Sequence, residues 1–208
     1  MCMPNLTSPQ HTMKLPASSS PAARVTPCTR LHVLGLCLLN AATFPRSADD
    51  AALLQPVRFA SSWWSLQRRL RTNHILVALA PDNNAIVGSV EVHTAAYLRS
   101  RAGNITEEQA AMLQPYLASL AVAEDARNLG IGRSLVEAAI NEVECAPTAR
   151  AGDSLLLQVE ASNVAAVRLY EACGFKIVGG GATLVMKRPL DVVDVAELAA
   201  VELEGEMT

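Results

Sequence analysis

The amino-acid sequence predicts an α/β fold, a mixed sheet covered by helices, and three observations carry that expectation. β-rich runs alternate with segments of helical periodicity through the second half of the chain. A hairpin precedes them, and the strongest helical segment keeps its apolar residues on one side. A chain of 208 residues that is 50% hydrophobic can build one core and needs no second domain.

Residues 1–48 contain Lys14, Arg24, Arg30 and Arg46 but no acid, and they are rich in Ser, Thr, Pro and Ala. This is the composition of a leader that directs import into an organelle, a disordered tail being the alternative. Pro4, Pro9, Pro16, Pro21 and Pro27 oppose a long amphipathic helix there, which favours a plastid over a mitochondrion. The apolar run 31–39 has two readings. It is either the hydrophobic part of a secretory signal, with Ala41-Ala42-Thr43-Phe44-Pro45 as its processing region, or the first buried strand of the fold. In either case it is too short to span a bilayer, which takes about 20 residues.

From Asp49 the texture changes to charged, periodic segments, so the folded domain is expected over 49–190. Residues 49–55 and 61–72 are predicted helical, the second with Trp63, Trp64, Leu66 and Leu70 beside Arg68, Arg69 and Arg71. Two β-rich runs, 74–80 and 85–94, flank Pro81-Asp82-Asn83-Asn84, whose residue types favour a tight turn. Thr106-Glu107-Glu108-Gln109 has the capping-box form of a helix start, and Pro115 stops that helix before the next strand. There follow a strand over 116–123, a helix over 130–145, a strand over 154–160 and a helix over 162–173 ended by Gly174. A last strand pair, 175–178 and 182–187, surrounds Gly179-Gly180-Gly181. In the 130–145 helix, Leu135, Val136, Ala139, Ile140 and Val143 repeat at helical spacing opposite Glu137, Asn141, Glu142 and Glu144, so one face packs on a sheet. The tail over 191–208, with six acids and no base, is predicted to be a solvated helix or a disordered end.

A formal charge of −3 and a pI near 5.8 argue against a phosphate-backbone binder, so no nucleic-acid partner is expected. The five cysteines are scattered and odd in number, with neither CxxC nor His/Cys metal spacing. They are expected to be reduced thiols, and no metal is predicted.

The chemistry concentrates in Leu120-Ala-Val-Ala-Glu-Asp-Ala-Arg-Asn-Leu-Gly-Ile-Gly-Arg-Ser134, a strand, a glycine-containing loop and a helix start. Gly130 and Gly132 remove side chains where a ligand must approach backbone, and the new helix points free amides outward. A pyrophosphate suits the amides from Asn128 to Arg133, helped by the helix dipole and the charge of Arg127 or Arg133. No Lys-Ser/Thr follows the second glycine, so the segment is not a Walker loop. Nor does it supply the three glycines of a dinucleotide fingerprint.

Arg127-x-x-Gly130-x-Gly132 resembles the acetyl-CoA pyrophosphate loop of the GNAT superfamily, usually Arg/Gln-x-x-Gly-x-Gly/Ala. About thirty residues on, Asn163-x-x-Ala166-x-x-Leu169-Tyr170-x-x-x-Gly174-Phe175 is similar to that family's next signature. The resemblance implies a mixed, mostly antiparallel twisted sheet with helices on both faces and a splayed central strand pair, here 116–123 and 154–160. It implies acetyl-CoA as donor and an amine as acceptor. Leu120 and Val122 match the strand whose backbone pairs with the pantetheine arm, and Arg127, Asn128, Leu129, Gly130, Ile131, Gly132 and Arg133 match the pyrophosphate cradle. Asn163 matches a side chain on the cofactor arm, and Tyr170 matches the hydroxyl beside the sulfur, as general acid.

The acceptor amine must be neutral to react, which calls for a base. Ribosomal-protein N-terminal acetyltransferases of the superfamily carry a Glu where this chain has Gln158, and Gln cannot take a proton at neutral pH. Glu160, Glu91 and His93 are the alternatives by period-two alternation, with Glu91 and Glu160 the preferred pair. The sequence is also similar to plastid GNAT enzymes that acetylate protein N-termini and lysines, through Leu66-Gln-Arg-Arg-Leu70, Ile86-Val-Gly-Ser-Val-Glu91 and 116–122. A small-molecule amine acetyltransferase and a non-catalytic CoA-binding module are the rival expectations. In the first, 95–114 shapes a different acceptor cleft. A monomer or weak dimer is expected.

Overall fold

The computed structural model describes residues 23–43, 64–104, 106, 113–145 and 153–190. Its strands are β1 (Arg24–Pro27), β2 (His74–Leu79), β3 (Ile86–His93), β4 (Tyr116–Val122), β5 (Ser154–Glu160), β6 (Lys176–Gly180) and β7 (Thr183–Pro189). The helices are α1 (Val33–Thr43), α2 (Ala95–Ala102), α3 (Ile131–Cys145) and α4 (Val164–Ala172), with a short helical stretch at 64–69. All strands join one sheet in the order β1-β2-β3-β4-β5-β7-β6, antiparallel throughout except for the parallel contact of β4 with β5.

The two faces of the sheet are covered by different helices, so β2 is apolar at every position but its first and buried on both sides. Ile75, Val77 and Leu79 pack with Val33, Leu36 and Cys37 of α1 and with Leu66. Leu76 and Ala78 point the other way, into the larger core that Leu135, Val136, Ala139 and Val143 of α3 share with Leu155, Leu157, Tyr170, Phe175 and Met186. At Gly88 an added Cβ would stand 2.9 Å from Leu135 Cδ1 and 3.1 Å from Ile131 Cγ2, so its lack of a side chain lets the start of α3 press onto β3.

The fold begins earlier than the composition suggests, near residue 23 and not at 49. Arg24–Pro27, expected in the leader, form an edge strand on β2, with Arg24 opposite Leu79 and Pro27 opposite Leu76. Pro27 is tolerated because it ends an edge strand. The run 31–39 becomes most of helix α1, not a strand. Val33, Leu36, Cys37 and Leu39 are buried, while Leu31, Leu34 and Leu38 face outward. Because the outward face is apolar too, the helical period is invisible in the sequence. The predicted helix at 49–55 and the tail at 191–208 lie outside the described residues, as does most of the 106–109 capping box.

α2 occupies a stretch that carries no strong apolar period. Thr94 starts it, its Oγ1 accepting from the Tyr97 amide at 3.2 Å. The strands and helices expected after Pro115 all form, with ends shifted by a few residues.

Between the halves of the sheet the strands part. β4 and β5 share one register pair, Tyr116 with Leu156. Beyond it β4 carries a bulge: Glu91 faces Ala118 and Ser89 faces Ala121, so Ser119 and Leu120 oppose Val90 alone. Ser119 adopts φ 51, the left-handed conformation that lets the strand turn away from its neighbour. The splayed pair expected at the centre of the sheet is present.

Candidate functional site

The free edge of β4 leads into the glycine loop. After Val122 a single 3-10 turn, Glu124–Ala126, carries the chain to Arg127, and Asn128 (φ 63) and Gly130 (φ 80) bend it into α3. The Gly130 carbonyl accepts from the Ser134 amide at 3.0 Å, closing the first helical bond. The amides ahead of Ser134 therefore lack an intrahelical acceptor and form an anion-binding end. At Gly130 no atom lies within 4 Å of where a Cβ would stand, so the space before the helix is open. At Gly132 the same test finds Leu169 Cδ2 at 3.3 Å and Val122 Cγ2 at 3.8 Å, so this glycine mainly lets α4 approach the loop.

The other expected cradle residues divide by role. Ile131 turns its side chain into the core, and Leu129 is exposed, so each offers the loop its backbone. Arg127 and Arg133 are both exposed. Arg127 Nε donates to the Val122 carbonyl at 3.3 Å, tying the loop to the strand end. Arg133 Nε is 2.7 Å from Glu137 Oε1, one helical turn on. Leu120 and Val122 pack against the larger core, while the backbone of β4 beyond Tyr116 has no β5 partner. Free first-turn amides, an open space ahead of them and an unpaired strand edge leading away together fit a diphosphate joined to an extended arm.

α4 crosses close to the loop through Leu169. Asn163 caps it, Oδ1 accepting from the Ala166 amide at 3.2 Å, which leaves the side-chain NH2 to donate elsewhere. Tyr170 is buried, its ring edge-on to Phe175 with centroids 5.9 Å apart. Burial, then the nearness of Tyr116 and Cys173, push its hydroxyl up to about 12. Burial also raises Tyr116, an effect partly offset by the Gln158 backbone. The Tyr170 phenol stays protonated at neutral pH. Its pKa stands well above the ordinary thiol value of about 8.5, so it suits donation of a hydrogen bond to a developing thiolate better than complete proton transfer.

The carboxylates proposed as bases have contrasting surroundings. Glu91 is 3% exposed. Its Oε2 accepts from Arg69 Nη1 at 2.5 Å, its Oε1 from Asn73 Nδ2 at 2.7 Å, and His93 Nε2 lies 3.3 Å from Oε1. Burial raises its carboxyl, but His93, Arg69 and Asn73 together outweigh that, and the group lies below the ordinary carboxylate range. A buried, ion-paired carboxylate of this kind is a poor proton acceptor, and Glu91 is better described as an anchor. Glu160 is exposed at the far end of β5, where Ser162 Oγ approaches Oε2 at 3.5 Å. Gln158 is also exposed, two residues before it on the same face.

Arg69, Asn73, Tyr97 and Tyr116 were not legible as site residues. His93 joins them, its ring centroid 4.8 Å from Tyr97 and 6.1 Å from Tyr116. Among the described residues no cluster of His, Cys, Asp and Glu suits a metal ion, and no helix is long and apolar enough to cross a membrane.

The chain matches the model of the Acetyltransferase (GNAT) family over residues 39–175. No curated protein matches the sequence. Among solved structures, the ribosomal-protein-alanine N-acetyltransferase of Brucella melitensis superposes with a TM-score of 0.55 at 23% identity, covering 80% of this chain and 99% of its own. The PaiA N-acetyltransferase of Thermoplasma acidophilum, in complex with coenzyme A, gives 0.58 at 14%, covering 81% and 99%. A spermidine N-acetyltransferase chimera of Vibrio cholerae SpeG and hSSAT gives 0.57 at 17%, covering 81% and 96%.

Proposed function

Because the chain belongs to the acetyltransferase (GNAT) family, we propose that it acetylates protein N-terminal α-amino groups, lysine side chains or both, inside an organelle. Acetyl-CoA is the acetyl donor and supplies an activated thioester carbonyl. This chain's own residues supply the rest. The amides ahead of Ser134 hold the diphosphate, the backbone of Leu120 and Val122 along the free edge of β4 aligns the arm, and Asn163 donates to it through its side-chain NH2. Tyr170 directs its hydroxyl at the departing sulfur. Most of the rate then comes from orientation and from backbone polarisation of the carbonyl.

The observation that carries a polypeptide acceptor is the open outward face of β5. Gln158 and Glu160 are exposed there, whereas among the described residues α1 packs chiefly on β2, β3 and β4. An uncovered strand face beside the splay admits the end of a chain, whereas a small amine is served by a closed cleft. The likeness to a ribosomal-protein-alanine N-acetyltransferase supports the same reading. An organelle, with a plastid preferred, is supported by the sequence likeness to plastid enzymes. It is also supported by residues 1–22, which still hold Lys14, four of the chain's serines and no acid.

The test is CoA release with a library of peptides bearing free N-termini or internal lysines, run beside spermidine, amino acids and amino sugars. Turnover of peptides supports the proposal. Turnover confined to small amines replaces it with a small-molecule enzyme, and acetyl-CoA binding without any turnover replaces it with a binding module.

A further inference from the structure

We propose that His93, held in place by Glu91, is the base that takes the proton from the acceptor amine. This role rests on the acetyltransferase reading above.

Three buried polar atoms without a hydrogen-bond partner, Arg69 Nε, Asn73 Oδ1 and His93 Nε2, belong to the residues gathered round Glu91. Arg69 and Asn73 each bind one oxygen of the Glu91 carboxylate, so it cannot rotate. Its Oε1 is left 3.3 Å from His93 Nε2, needing only a small ring rotation to accept a hydrogen bond. A neutral imidazole carries one N–H, and an adjacent carboxylate draws it to the near nitrogen. With Nε2 protonated, Nδ1 holds the free lone pair. The side chain is 21% exposed and Nε2 is buried, so the exposed part of the ring lies away from Nε2.

The position is equally specific. Val90 and Val92 face the α3 core, so Glu91 and His93 lie on the opposite face, the α1 side. His93 pairs with Tyr116, which is also the residue where β4 and β5 last touch. Tyr170 lies in the core on the other side of the sheet, with Val90 and Val92. The sheet thus carries the Tyr170 phenol on one side and the His93 imidazole on the other. Glu160 stands four residues beyond Leu156 along β5, about 13 Å away at about 3.3 Å per residue, beside the cap of α4. Around His93 the titratable and charged groups are Glu91 on its own strand, Arg69 from the 64–69 segment, Tyr97 on α2 and Tyr116 on β4.

In the step itself, the acceptor ammonium gives one proton to Nδ1, and the lone pair set free forms the N–C bond. The C–S bond then breaks, its electron pair leaves on sulfur, and the nitrogen's surplus proton ends on the thiol. The imidazolium returns its proton to water.

His93→Gln in the full chain, assayed with an alanyl peptide and with spermidine, should lower kcat by about a hundredfold or more, the scale of one acid–base group. Acetyl-CoA affinity by calorimetry should stay within threefold of wild type. The wild-type rate should rise with pH through the imidazole titration, whereas that of His93→Gln should rise only as the amine itself deprotonates. In the ligand-free protein, the NMR resonances of the His93 ring should move in Glu91→Gln, reporting loss of the carboxylate beside it. An unchanged pH profile in His93→Gln, or a His93 ring whose resonances are unmoved by Glu91→Gln, overturns the role while leaving the enzyme an acetyltransferase. Wild-type protein that acetylates none of the peptides or amines of the panel above overturns the transferase proposal and this role with it. If His93→Gln does not fold, a wild-type kinetic midpoint coinciding with that of the His93 ring supports the role, and a ring that does not titrate overturns it.

Discussion

Replacing Gly130 and Gly132 one at a time separates two duties that the sequence motif joins. Gly130 sits at φ 80 with no atom within 4 Å of a would-be Cβ, so alanine there meets no clash. It does meet the left-handed penalty, about 1–2 kcal/mol, which for a domain of this size lowers Tm by about 2–8 °C. If the loop escapes the strain by turning a peptide, an amide leaves the diphosphate cradle. One hydrogen bond to a charged group is worth about 1.5–3 kcal/mol, so acetyl-CoA affinity should weaken by about tenfold to a hundredfold. At Gly132 the backbone is ordinary, and the new methyl meets Leu169 Cδ2 at 3.3 Å, the end of a half-buried side chain that can yield by a few tenths of an ångström. The helix-propensity gain of alanine over glycine, up to about 1 kcal/mol, offsets the crowding. Gly132→Ala should therefore keep Tm within about 2 °C of wild type and keep its affinity. Calorimetric titration with acetyl-CoA and a thermal melt on each variant decide the matter. Wild-type affinity in Gly130→Ala, or equal losses in both variants, refutes the assignment of the open space to the ligand.

Tyr170→Phe removes the hydroxyl of a buried ring, while the edge contact with Phe175 survives. Single-turnover kinetics should show about a tenfold to hundredfold slower transfer, with Tm and acetyl-CoA affinity unchanged. Asn163→Ala strips the α4 cap of its acceptor for the Ala166 amide; a melt should show about 1 kcal/mol lost, or about 2–4 °C, with Asn163→Asp restoring most of it. Glu91 lies below its ordinary value of 4.5 when folded, so its protonation favours the unfolded chain. Its contribution is complete above that value and is lost as the pH falls through the lower, folded pKa. Glu91→Gln should accordingly show a shallower fall of Tm over that acid range than wild type, and parallel curves would contradict it.

The glycine loop and the α4 motif were legible because local chemistry dictates them: a strand end, a glycine at positive φ and a helix start lie together within 122–131, and an Asn cap directly follows a strand end within 160–163. The polar cluster around Glu91 was not legible. Arg69, Asn73 and His93 come together only when β2 and β3 pair and the 64–69 stretch folds back, and nothing in a lone Arg 22 residues upstream announces that contact. The α1 helix was hidden for a different reason, since Leu34 and Leu38 on its outer side erase the polar half of the pattern. The bulge had no warning either, because Ser119 is neither Gly nor Asn, the residues that ordinarily mark a left-handed turn.

The parting of β4 from β5 also bears on how the molecule holds together. With one register pair across the middle of the sheet, the backbone ladder that normally makes a sheet a single mechanical unit is interrupted there. Continuity falls to side-chain packing beneath it, where Leu135 and Tyr170 share a core with Leu117 and Leu157. A donor molecule lying in the gap would complete the missing ladder and splice the two halves. Acetyl-CoA at a hundred times its Kd adds about 2.7 kcal/mol to stability, and amide exchange along β4 and β5 should slow more than at the outer strands. In that sense the cofactor-loaded protein is the finished sheet, and the empty one is two half-sheets sharing a lining.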